Sequence, residues 1–284
     1  MLKTKKIIRE KLSPLYSATE VESLTRLILE HVTGFSRLQM HLHQTDPLPE
    51  PKIMQITEIL NRMLTNEPIQ YILGETEFYG LKFTVTPDVL IPRVETEELA
   101  EWIITKEKSH CKSLLDIGTG SGCIPIAIDK NTNIDKIEGW DISEGALGIA
   151  RENGIRNNSK VLFSRQNIFS PTGIAELSEW DVIVSNPPYV LEEEASQMEK
   201  NVINFEPHLA LFVPDHDPLI FYRAIAQYAA AHLRPLGSLY FEINEKQGDQ
   251  TTKLLKEHGF NDILTRKDLQ GKTRMIRARI ALTE

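Results

Sequence analysis

Two consecutive prolines, Pro187 and Pro188, close a short apolar run, Asp181-Val182-Ile183-Val184-Ser185, and few features restrict a backbone more. Each proline fixes φ, lacks an N–H and limits the residue before it. The chain there can neither extend a strand ladder nor start a regular helix at once. The apolar run reads as a buried parallel strand, so the stiff turn sits at its carboxyl end, where open α/β sheets keep their ligands. Asn186 and Tyr189 flank the prolines. An amide offers an acceptor and two donors, and a phenol adds a flat face and a hydroxyl. Such a clamp suits a planar group that carries an NH2.

The pattern around that turn predicts an α/β fold. Helical segments over 97–104, 144–153, 218–233 and 250–258 alternate with strand-like runs over 113–117, 137–140, 161–163, 180–185 and 238–243. Such alternation gives a mainly parallel sheet covered by helices. Two late strands, around Ile263 and over 275–280, add antiparallel members, so the architecture is doubly wound and mixed.

Residues 1–67 read differently. Val21, Leu24, Leu27, Ile28 and Val32 recur at helical spacing, Ser17/Glu20 and Thr19/Glu22 are both candidate capping boxes, and Gly34 is a stop signal. A further helix is expected over 50–64, after the proline-rich break from Asp46 to Pro51. This part is expected to be a helical bundle for substrate recognition. Over 68–92 the pattern turns to alternation around Gly80, a β-hairpin linker, and 93–284 forms the catalytic domain.

Bulk properties exclude some classes. A net charge of −8 argues against a general duplex binder, although a local basic patch survives a global number. The two cysteines, Cys111 and Cys123, are expected as buried reduced thiols, and no His/Cys cluster has zinc-ligand spacing, so no metal is expected. No signal-peptide pattern and no run of about 18 apolar residues occurs, which predicts a cytoplasmic protein that does not enter membranes. Nothing in the sequence demands more than a monomer.

Asp116-Ile117-Gly118-Thr119-Gly120-Ser121-Gly122 lies where the first catalytic-domain strand meets its helix. Glycines there let the backbone approach a ligand, and the helix N-terminus favours a negative group. The spacing is G-x-G-x-G rather than the G-x-G-x-x-G of dinucleotide binders, which suits S-adenosylmethionine, a ligand with no pyrophosphate. Asp141 ends the next strand about twenty residues on, the place from which an acid reaches ribose hydroxyls. Its competing reading is a helix N-cap in Asp141-Ile142-Ser143-Glu144. Asn167 and Ile168 follow the third strand and are expected to border the adenine, unless they form an ordinary polar turn. At the proline turn, the Asn186 side-chain oxygen and the Pro187 carbonyl would each accept an N–H from a delocalised nitrogen. That would fix the nitrogen for in-line attack, with Pro188 and Tyr189 packing against the planar group.

With these motifs assembled, the chain resembles the HemK/PrmC family, peptide chain release factor glutamine methyltransferases. The resemblance runs over nearly the whole length: Phe78 to Leu81, Val89 to Arg93 with Glu95-Thr96-Glu97, Asp116 to Gly122, Asp141, Asn186 to Tyr189, Glu206-Pro207, Ala210-Leu211, Glu242-Ile243, Gln247-Gly248, Asp268-Leu269, Gly271 and Arg274. It implies a class I S-adenosylmethionine-dependent methyltransferase, Rossmann-like with a mixed seven-stranded sheet, behind a small N-terminal helical domain. It implies transfer from S-adenosyl-L-methionine, leaving S-adenosyl-L-homocysteine, to the glutamine of a Gly-Gly-Gln loop in class 1 release factors. Asn186 and Tyr189 would hold that glutamine. Arg93, Thr96 and Glu97 are similar to residues at the cofactor or substrate entrance, with linker packing as the alternative. Three positions depart from the family pattern: Val94 in place of proline, Asn244 in place of glycine, and Ile168 where a tryptophan can lie over the adenine. The competing activity is methylation of exocyclic amines in DNA or RNA, which present the same planar NH2 but require nucleic-acid binding and a flipped base. No direct nucleic-acid contact is expected.

Overall fold

The computed structural model describes residues 1–107, 110–172 and 179–280. The chain forms two compact units, Met1–Gly74 with Lys200–Phe205, and Glu75–Glu199 with Glu206–Glu284.

The first unit holds α1 (Leu2–Leu12), α2 (Ala18–Thr33), α3 (Arg37–Leu42), α4 (Glu50–Met63) and α5 (Ile69–Leu73). Of the two candidate capping boxes, Ser17/Glu20 forms: the Ser17 N–H donates to Glu20 at 2.9 Å and the Glu20 N–H to the Ser17 hydroxyl at 3.4 Å. Glu22 instead pairs with Arg9 at 2.7 Å. Gly34, at φ 72°, ends α2 in the left-handed conformation that only glycine enters without penalty. Ile8, Leu12, Ile28, Leu29, Leu60 and Met63 form its core. The sequence placed the end of this part at residue 67, before α5. In the structure Ile69 joins the same core, and the unit continues to Gly74.

The second unit opens with a hairpin, β1 (Glu75–Phe78) and β2 (Leu81–Thr84). Its turn residues Tyr79 and Gly80 have φ of 50° and 73°, the positive values a tight right-twisting hairpin requires. There follow α6 (Val94–Glu107), β3 (Ser113–Ile117), α7 (Cys123–Asn131), β4 (Lys136–Asp141), α8 (Glu144–Arg156), β5 (Leu162–Arg165) and β6 (Trp180–Ser185). Short pieces come next: β7 (Val190–Leu191), α9 (Lys200–Ile203, grouped with the first unit), α10 (His208–Leu211) and β8 (Phe212–Val213). The unit closes with α11 (Ile220–His232), β9 (Leu233–Glu242), α12 (Gly248–Glu257), β10 (Phe260–Lys267) and β11 (Thr273–Ile280).

The main sheet is seven-stranded in the order β10-β11-β9-β6-β3-β4-β5. β9, β6, β3, β4 and β5 pair in parallel, while β11 runs antiparallel to both neighbours. Consecutive residues serve opposite faces, as the two-residue period of a strand dictates. Leu114, Val182, Val184 and Tyr240 pack in one core; Leu115, Ile183 and Phe241 pack in the other. β9 begins earlier than its expected start at 238. Pro235 and Leu236, the latter at φ 67°, are absorbed at a register shift opposite Trp180 and Val182. From β3 the chain winds out to β4 and β5, then crosses to β6 on the other side. That reversal opens a crevice at the carboxyl ends of the central strands.

Candidate active site

A cavity of about 280 Å³ occupies that crevice, lined from the glycine loop, the ends of β4 and β6, and the segments around Arg93, Asn167 and Ala210. β3 is buried along its whole length and delivers the loop rigidly. The Gly118 and Thr119 N–H groups both donate to the Trp140 carbonyl, at 2.8 and 2.9 Å, which ties the loop to β4. Gly118 and Gly120 have φ of 75° and 52°, line the cavity with Thr119 and Ser121, and would each point a Cβ into open space. Gly122 differs. A Cβ there would lie 2.9 Å from Phe163, and the residue does not line the cavity. Two glycines keep the cavity open; the third lets the loop pack on a ring.

Asp141 lines the cavity, accepting the Gly120 N–H at 2.9 Å and the Ser143 N–H at 3.0 Å. The cap of α8 is Ser143, whose hydroxyl accepts the Ala146 N–H at 3.2 Å, so Asp141 is not the N-cap. Burial raises the Asp141 carboxyl above its ordinary range. Beneath the loop Asp116 is fully buried, and burial pushes it up to about 7, against a smaller downward pull from the neighbouring Thr119 hydroxyl. Neither the Asp116 carboxyl nor the Thr119 hydroxyl meets a partner of good hydrogen-bond geometry among the described residues.

Asn167 and Ile168 both line the cavity. The Asn167 side-chain oxygen accepts the Phe169 N–H at 3.0 Å, so the residue also builds the polar turn that was its alternative reading. The wall beside Ile168 carries two aromatics the sequence did not single out. Phe169 and Phe221 meet with ring centroids 5.2 Å apart.

At the proline turn, Asn186, Pro187 and Pro188 line the cavity. The Asn186 Nδ2 donates to the Thr96 hydroxyl at 3.2 Å, and that hydroxyl donates to Glu242 Oε2 at 2.7 Å. The Tyr189 hydroxyl donates to Glu242 Oε1 at 3.1 Å. With its amino end held by Thr96, Asn186 has its side-chain oxygen left to accept. Tyr189 does not line the cavity, and its ring packs against the core on one sheet face. Glu242 is buried at the end of β9, and burial raises its pKa against the pull of the Thr96 and Tyr189 hydroxyls. The signal that marked it in sequence was faint: a lone carboxylate closing an apolar strand.

Arg93 and Thr96 line the cavity, whereas Glu97 accepts the Tyr79 N–H at 2.8 Å and anchors the hairpin to α6. Arg93 pairs with the buried Glu206 at 2.5 Å, and Glu206 also accepts the Ile91 N–H at 3.2 Å. That pair fixes the segment before α6, which lines the cavity.

Residues 7–74 match the PrmC N-terminal domain and residues 96–206 the methyltransferase small domain. The release factor glutamine methyltransferase of Bacteroides thetaiotaomicron is 47% identical, over 95% of this chain and 97% of its own length. The chain belongs to the release factor glutamine methyltransferase family. The family's member in Flavobacterium psychrophilum is 42% identical, over 94% of each chain. The fold is shared more widely: a methyltransferase from Pyrococcus furiosus superposes with a TM-score of 0.51 at 20% identity, covering 80% of this chain and 100% of that one. Within the family frame, the structure brings the glycine loop, Asp141, Asn167, Ile168 and Asn186 to Pro188 around one cavity. It leaves Gly122 and Tyr189 behind its walls.

Proposed function

We propose that this chain transfers a methyl group from S-adenosyl-L-methionine to the side-chain amide nitrogen of the glutamine in the Gly-Gly-Gln loop of class 1 peptide chain release factors. Membership of the family supports the activity, and the orientation of Asn186 is the observation that carries the chemistry.

The cavity suits a cationic donor. Its wall is largely apolar, its loop glycines leave open space, and the Asp141 carboxyl lines it. Gly118 to Ser121 would hold the methionine end, Asp141 the ribose, and Ile168 with Phe169 the adenine. When bound, the sulfonium donor supplies an electrophilic methyl group. The acceptor nitrogen is a weak nucleophile because its lone pair is delocalised into the carbonyl. Asn186 Oδ1 and the Pro187 carbonyl accept its two N–H bonds, fixing the nitrogen in line and favouring the positive charge that grows on it. Tyr189 acts from behind, holding Glu242 and with it Thr96. As the N–CH3 bond forms the S–CH3 bond would break to leave a neutral thioether, and the nitrogen would then give its extra proton to water, so no general base is required at the moment of attack.

The test incubates the purified chain with labelled methyl donor, an intact bacterial release factor and, separately, duplex and single-stranded DNA. Label on the loop glutamine, lost in Asn186→Ala while donor binding persists, is the expected result. Label on adenine with none on the glutamine would refute the reading.

A further inference from the structure

The first unit contains a second pocket, of about 250 Å³, built only from helix faces. α1 contributes Lys5 and Arg9, one turn apart; α2 contributes Glu22, Thr25 and Arg26 at i, i+3 and i+4; α3 contributes Arg37. Four permanent cations therefore face one carboxylate, in a chain whose net charge is −8. Glu22 is occupied by Arg9 at 2.7 Å, and among the described residues no ion pair engages Lys5, Arg26 or Arg37.

Thr25 supplies a second and independent observation. It lines the pocket with only 3% of its surface exposed, and its hydroxyl has no hydrogen-bond partner among the described residues. The Nε of Arg26 beside it is likewise buried and unpaired. Buried polar groups are nearly always satisfied, and an exception calls for a missing partner. A hydroxyl and a guanidinium N–H with surplus positive charge around them ask for an acceptor that is negative.

We propose that this pocket is an oxyanion site that receives a carboxylate of the protein substrate, an inference that rests on the methyl-transfer reading above. Its several cations, with an unpaired hydroxyl and an unpaired guanidinium N–H side by side, suit a compact anion with more than one acceptor oxygen, which a carboxylate side chain supplies. Inorganic phosphate shares the charge and the acceptor geometry and is the other source of the same chemistry. The pocket would add a second point of attachment remote from the reacting glutamine, acting on substrate affinity and not on the transfer step.

The experiment titrates the full-length chain with inorganic phosphate and follows the backbone amide chemical shifts of Lys5, Thr25 and Arg26. The wild type is compared with Thr25→Val, which keeps the shape, and Arg26→Met, which keeps the stem. Saturable shifts in the wild type, with about tenfold weaker binding in each variant, are expected for the loss of one charge-assisted contact. In parallel, Arg26→Met should raise KM for an intact release factor about tenfold and leave kcat, and KM for a short peptide carrying the loop glutamine, unchanged. Saturable phosphate binding with an unaltered KM for the intact substrate would overturn the protein source and assign the pocket to free phosphate. Absence of saturable shifts would overturn the site itself. Failure of the wild type to methylate release factors would instead sink the functional reading, and the phosphate titration would still judge the pocket.

Discussion

Thr96→Val tests whether Asn186 works because its amide is oriented. The substitution keeps volume and β-branching but deletes a buried hydroxyl that donates to Glu242 at 2.7 Å and accepts from Asn186 at 3.2 Å. The bond to a carboxylate is worth about 1.5–3 kcal/mol, and its loss leaves a buried acid short of a donor. A domain of this size should then melt roughly 4–10 °C lower. The catalytic effect is separate. Without Thr96 the Asn186 amide has no fixed sense, and a misplaced acceptor near the reacting nitrogen costs up to about 100-fold. We expect kcat to fall about 10- to 100-fold, with KM for the methyl donor within about twofold, because Thr96 positions the acceptor side of the reaction. Initial rates of label transfer to an intact release factor, measured well below the melting temperature, read this directly. Thr96→Ser retains the hydroxyl and should recover most of the rate. Wild-type kcat in Thr96→Val, or an equal loss in Thr96→Ser, would refute the orientation argument.

Three further perturbations follow from the same geometry. Asp116 holds its proton to about 7 when folded against an ordinary 3.8, so the folded state binds more protons in that window and stability falls as pH rises through it, by up to about 4 kcal/mol. Asp116→Asn should remove that slope and melt progressively higher than wild type from pH 5 to 8; parallel curves in differential scanning fluorimetry would contradict it. Gly122→Ala must place a Cβ 2.9 Å from Phe163 at a φ of 78° and should cost about 2–4 kcal/mol of stability, whereas Gly120→Ala, facing open space, should cost about 1–2 kcal/mol and chiefly weaken donor binding by calorimetry. Arg93→Ala leaves Glu206 buried without its cation; since the guanidinium is itself about one-third exposed, a loss of about 2–4 kcal/mol is expected in urea melts, with Arg93→Lys recovering part of it.

What sequence made legible here was what depends on neighbours along the chain. The proline turn, the glycine loop, the Ser17 capping box and the Gly34 stop are each set within a few residues, and alternation of apolar runs was enough for the parallel core. The short pieces between Val190 and Val213 carry too few residues to show a period, and none was foreseen. Gly122 looks identical to Gly118 and Gly120 in a G-x-G-x-G run. The Phe163 ring, from another strand, and Ile126 on the following helix separate a packing glycine from two that keep a cavity open. Tyr189 follows the prolines as a clamp residue would, yet its hydroxyl turns to Glu242, an acceptor 53 residues away.

The orientation of Asn186 shows why such distant partners decide the chemistry. An amide's two ends have nearly the same shape, so neither its position nor the stiffness of the turn says which end meets the substrate. An ionised Glu242 can only accept, and its two oxygens take the hydroxyl protons of Thr96 and Tyr189. Thr96 has a single proton and spends it on Glu242, so toward Asn186 its oxygen can only accept. Asn186 therefore turns its amino group to Thr96, which leaves its carbonyl oxygen free to accept. In the proposed reaction such an acceptor would recognise a group with N–H bonds to give, and a glutamine side chain has two. On the proposed reading, the sense of the Asn186 amide would be set 146 residues along the chain from Thr96, by an acid at the end of a central strand.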